Sequence, residues 1–161
     1  MSKVSDDGIG WSRIGLAALV CYAAIAITGW APLAGLQSVE AFAIATGLLC
    51  AAVLALEFRL SAARMEKRPV GPDAIRSHRI LGALIPVALL IHAPGIGYGY
   101  IPVLVAVLVV VVSLGLAARG ARALHRRVRW LYDAWFVTHI AASILLVVLV
   151  AYHAVIAIAY E

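Results

Sequence analysis

Five histidines stand out in a chain otherwise poor in ionisable groups: His78, His92, His125, His139 and His153. His92 follows His78 by 14 residues, and His153 follows His139 by the same 14. On an α-helix that interval turns about 1400°, about 40° short of four full turns, and rises about 21 Å. Both rings of a pair therefore share one face at well-separated heights. Imidazole ligates iron, copper and zinc, but two rings at one level do not complete a tetrahedral zinc set. No Cys, Asp or Glu is expected at matching depth to complete one. A cofactor that needs only two axial nitrogens fits better, and haem is such a cofactor. Without a Cys-x-x-Cys-His motif there is no thioether attachment, so the haem would be non-covalent and b-type.

The elements that carry these residues follow from composition. Of 161 residues 65% are hydrophobic and 13% charged, and the mean hydropathy is +1.02, far from the usage of soluble domains. A soluble enzyme is excluded, and the expected fold is an all-α polytopic membrane bundle forming a single domain. Its five transmembrane helices are predicted over about 13–30, 39–60, 78–94, 100–118 and 130–160, each near the length that crosses a hydrocarbon core. Strands are excluded because these runs are too long and do not alternate. Arg64 to Pro72 reads as a polar linker with helix-breaking prolines, and Pro86 as a kink in the third span. Cys21 and Cys50 lie in apolar runs and imply no disulfide framework.

The net charge of +5 does not point to nucleic acid, because its placement reports topology. All 13 Lys and Arg fall at Lys3 and Arg13, between Arg59 and Arg79, and between Arg119 and Arg129. With these stretches cytoplasmic, the N-terminus is inside and Glu161 outside. Trp11, Trp30, Tyr98, Tyr100, Trp130 and Tyr160 sit at span ends and read as interfacial anchors. The third and fifth spans then run the same way. His78 is expected to meet His139 near the inner side and His92 to meet His153 near the outer side, giving two stacked bis-histidine haem sites.

Small residues near the histidines would let a flat macrocycle lie against the backbone: Gly82 and Gly95 after the third-span pair, Ala142 and Ala157 after the fifth-span pair. Close helix packing explains them equally well. Arg76, Arg79, Arg126, Arg127 and Arg129 could pair with haem propionates. For most of them positive-inside topology suffices. His125 lies among arginines and reads as a solvated or lipid-facing loop residue. The Gly95-x-Gly97-x-Gly99 stretch reads as a flexible turn, not a phosphate cradle, so no flavin or NAD(P)H site is expected in this chain.

Ser77-His78-Arg79-Ile80-Leu81-Gly82, then His92, then Trp135-x-x-x-His139 and His153 resemble the ferric reductase-like transmembrane domain. That domain is shared by iron reductases, NADPH oxidases and the bacterial haem subunit of methionine sulfoxide reductase systems. The stretch Leu56-Glu57-Phe58-Arg59 to Arg64 resembles the basic end of that family's preceding helix, and the likeness extends from Val39 to Tyr160. It implies an inner haem on His78 and His139, an outer haem on His92 and His153, and contacts to the cofactor from Arg79 and Gly82. It also implies a bacterial inner membrane and a cytoplasmic flavoprotein, or a dehydrogenase domain beyond this chain, as electron donor. Family members usually have a sixth span, which this sequence lacks. Respiratory cytochrome b subunits also place paired histidines on two helices, so quinol oxidation is the alternative, and a proton or metal-ion relay without haem is another.

Overall fold

In the computed structural model, residues 7–29, 33–93, 95–125 and 128–160 are described. Lys3, Trp30, Ala31, Pro32, Pro94, Arg126, Arg127 and Glu161 lie outside them, as do the side chains of Arg64, His125 and Tyr160. The described residues form α-helices and turns, with no strand among them: α1 Asp7–Thr28, α2 Ala34–Gln37, α3 Glu40–Met65, α4 Pro72–His92, α5 Ile101–His125 and α6 Arg129–Tyr160. All but α2 are long and apolar enough to cross a membrane. Large apolar side chains point outward along them, such as Leu48 at 67% and Val148 at 58% exposure. Such a surface is stable against lipid tails and unstable against water.

The chain divides into two compact units, one ending at Gly95 and one beginning at Ile96. In the first, α4 packs against both α1 and α3. Its buried stripe is Ala83, Pro86 and Leu89, one residue per turn. Ala83 in this stripe lets a neighbouring backbone approach, a common route to close packing where no water drives association. The α3 and α4 helices run antiparallel, as paired contacts at both ends require. Cys50 Sγ lies 3.6 Å from the Ala88 carbonyl. Gln37 Nε2 donates to the Leu90 and Ile91 carbonyls at 3.0 Å each, filling acceptors that the end of α4 leaves without helical donors.

The second unit is an antiparallel hairpin of α5 and α6. Leu104, Leu108 and Val112 line the buried face of α5, four residues apart, and Leu146 of α6 is 1% exposed. Trp135 Nε1 donates to the Leu114 carbonyl at 2.9 Å, tying the two helices together.

Several boundaries differ from the sequence expectation: α1 begins at Asp7 and not near residue 13, α3 runs to Met65 and not 60, and α5 to His125 and not 118. The helix carrying His78 begins at Pro72, six residues earlier than predicted, with Gly71 as an extended N-cap. A proline in the first turn sacrifices no helical hydrogen bond and its fixed φ suits the helix, so Pro72 starts α4 instead of breaking it. His125 is the last residue of α5, not a loop residue. Pro86 lies inside α4 and cannot donate to the carbonyl of Gly82, four residues back, yet the helix continues through it.

The end of α3 is unusual for its cap. Arg68 N donates to the Ala63 carbonyl at 2.9 Å, the six-residue closure of a Schellman motif. Its left-handed position is filled by Lys67 at φ 55°. A side chain there costs about 1–2 kcal/mol relative to a right-handed residue, and glycine is spared most of it. Lys67→Gly is therefore expected to stabilise the protein by about 0.5–1 kcal/mol, read as a higher midpoint of unfolding in detergent; a lower midpoint would contradict the cap assignment.

Candidate functional site

All four paired histidines lie on two helices, His78 and His92 on α4, His139 and His153 on α6. Each of these helices has an antiparallel companion, α3 for α4 and α5 for α6; α3 meets both rings of α4, while the rings of α6 meet α5 and the turn leading into it. His78 Nδ1 stands 2.6 Å from Glu57 Oε2 of α3. His92, the last residue of α4, has Nδ1 3.1 Å from the Thr46 hydroxyl. His153 Nδ1 is 2.9 Å from the Tyr100 hydroxyl, just before α5. His139 lies parallel to the Trp135 ring one turn earlier, with centroids 5.9 Å apart and planes 5° apart.

The Thr46 hydroxyl lies 2.8 Å from the Phe42 carbonyl and 3.1 Å from His92 Nδ1. When its one hydrogen goes to Phe42, the Thr46 oxygen accepts from His92 Nδ1. His78 Nδ1 is within ion-pair distance of the Glu57 carboxylate, though the contact lacks hydrogen-bond geometry. Metal-binding histidines commonly have this arrangement, with one ring nitrogen held by a carboxylate or other acceptor and the second turned to the metal. A ring held through Nδ1 coordinates through Nε2.

Two glycines make room for the rings. A Cβ on Gly47 would stand 3.1 Å from His92 Cε1, and one on Gly115 would stand 3.7 Å from His139 Cε1. Gly82 has a different neighbour from the one expected, since a Cβ there would lie 3.6 Å from Glu57 Oε2. It leaves space for the carboxylate of α3. Gly95 lies beyond the end of α4, so it does not share a helix face with His92. Arg79 is exposed beside His78.

Glu57 is the residue that the sequence reading passed over. It appeared only as part of a basic helix end, and no acidic group was expected at the depth of a histidine. Its side chain is 9% exposed and reaches His78, which corrects that expectation. Its other oxygen, Oε1, is buried with no hydrogen-bond partner among the described residues. An acidic residue inside an apolar run is a signal in itself, but its partner depends on the register of α3 against α4. Tyr100 likewise bonds His153, in addition to its position at a span end.

The features that fit a haem are imidazoles on two membrane-length helices, with polar partners beside Nδ1 of His78, His92 and His153 and room opened by glycine at His92 and His139. Among the described residues no group of three or more His, Cys, Asp and Glu converges as a metal-ion ligand set.

Crowding at the His92 ring gives a direct test. Gly47→Leu is expected to destabilise the protein by about 1–3 kcal/mol by overpacking. Gly120→Leu, at a helical glycine with nothing within 4 Å, is expected to stabilise it by up to about 1 kcal/mol through helix propensity. Equal effects on the unfolding midpoint would mean that the ring does not lie against Gly47.

No known protein family, curated protein or solved structure matches this chain.

Proposed function

We propose that the chain is a membrane di-haem b-type cytochrome that passes single electrons from a cytoplasmic flavin- or NAD(P)H-dependent donor to an acceptor near the outer face. The observation that carries the proposal is the repeated 14-residue histidine interval on two membrane-length helices. The polar partners at Nδ1 of His78, His92 and His153 add support. So does the resemblance to the ferric reductase-like transmembrane domain. In this reading His78 and His139 would hold one haem, and His92 and His153 the other. The clustering of Lys and Arg supports a cytoplasmic position for the first of these.

Bound haem supplies reversible one-electron storage at each level. The protein supplies the rest. Glu57, Thr46 and Tyr100 hold three rings in place through Nδ1. Trp135 covers a face of His139 and keeps water from it. Arg79 is suited to meet a propionate at the inner level, as guanidinium matches carboxylate geometry. The apolar helices surround both levels with a low dielectric, which makes each nearby charge count for more.

The pairing is tested by substitution. His78→Ala and His139→Ala are each expected to remove the same haem, and His92→Ala and His153→Ala the other, leaving about half of the wild-type haem per chain in every case. His125→Ala is expected to leave both. Difference spectra of the four variants distinguish the two sets. If the two substitutions on one helix removed the same haem, ligation across the two helices would be wrong. Rapid reduction by quinol would favour a respiratory cytochrome b function instead.

A further inference from the structure

The partners of the histidine rings differ in charge. Thr46 and Tyr100 offer hydroxyls to His92 and His153, whereas Glu57 offers a carboxylate to His78. Glu57 lies six residues before the end of the α3 span, two residues from Arg59, its Oε2 at 2.6 Å from Nδ1 and its Oε1 buried without a hydrogen-bond partner among the described residues. Burying a carboxylate in such a place is costly unless a positive centre lies close by. A haem core carries one net positive charge when its iron is ferric and none when it is ferrous. An anion on the far side of an axial ligand therefore stabilises the oxidised state, by direct attraction and by making the ligand a better electron donor.

We propose that Glu57 is a positioning and charge-setting residue: acting through His78, it makes the haem held at that level the lower-potential one of the two. The inference rests on the di-haem reading above. One electron from a reduced flavin converts Fe(III) to Fe(II) at the His78 level and then does the same at the His92 level, leaving the first ferric again. No bond is broken and the Nδ1 proton stays on its ring. With Glu57 lowering the potential at the His78 level against the opposing charge of Arg79, transfer along α4 from His78 toward His92 would be favoured.

The experiment is a redox titration of the full chain in lipid nanodiscs, with haem counted per chain, for wild type, Glu57→Gln, Glu57→Asp and Thr46→Val. Wild type is expected to show two midpoints. Glu57→Gln should raise the lower one by about tenfold in the redox equilibrium constant, ~59 mV for one electron, and leave the upper one in place. Glu57→Asp, which keeps the charge, should stay near wild type, and Thr46→Val should leave the lower midpoint unchanged. Two bound haems with midpoints unmoved by Glu57→Gln, or movement of the upper midpoint alone, would overturn this inference and leave the di-haem reading standing. A wild-type chain without haem would overturn both. If Glu57→Gln does not retain haem, the wild-type ferrous protein, which is diamagnetic, gives the answer by NMR. The Nδ1 proton of His78, beside a carboxylate, should resonate downfield of that of His92, and the opposite order would overturn the proposal.

Discussion

An imidazole carried into hydrocarbon brings two nitrogens that water no longer serves, and the helix bearing it has already used its own backbone groups. The polar partner must come from the helix alongside. Much of the fold follows from that constraint. α3 runs antiparallel to α4 in a register that sets Glu57 against His78 and Thr46 against His92. α5 does the same for α6, with Tyr100 at His153 and Gly115 making room at His139. The Gln37 contacts to the last carbonyls of α4 and the Trp135 bond to Leu114 hold those registers. A slip of one residue in either hairpin would turn the partner about 100° away and leave a polar ring facing lipid.

The two hairpins solve this problem with different chemistry. In the first, His78 meets a carboxylate and His92 a hydroxyl. In the second a stacked indole covers one ring and a phenol meets the other. The hydroxyls are neutral and local. The carboxylate is the costlier choice, and a buried charge is seldom kept where a hydroxyl would serve, which makes its place beside one ring the main asymmetry of the molecule.

Helix content and the positions of the five long helices were legible in the sequence, because long apolar runs admit few other structures. So was the common face of each histidine pair, which depends only on helix geometry. The boundaries were less so. Pro72 reads as a breaker when prolines are taken as interruptions, but at the first turn of α4 it is a starter. Lys67 gave no sign of its left-handed backbone, since turn signals are tuned to glycine and asparagine. The ring partners were not legible at all. Glu57, Thr46 and Tyr100 are 21, 46 and 53 residues from the histidines they meet, and which residue faces which is set by hairpin register, on which single-helix periodicity is silent. Gly82 was assigned to a macrocycle on its distance from His78 along one helix. The neighbour it makes room for, Glu57, is on another.

The central claim is that each level of paired histidines holds one non-covalent haem through two imidazoles. The measurement that bears on it most directly is a reduced-minus-oxidised spectrum of the purified full chain from haem-replete cells, with haem extracted into acidified organic solvent and counted per polypeptide. Two extractable haems per chain with low-spin spectra in both redox states is the predicted result. A colourless protein, or haem that stays with the polypeptide after extraction, would contradict the account.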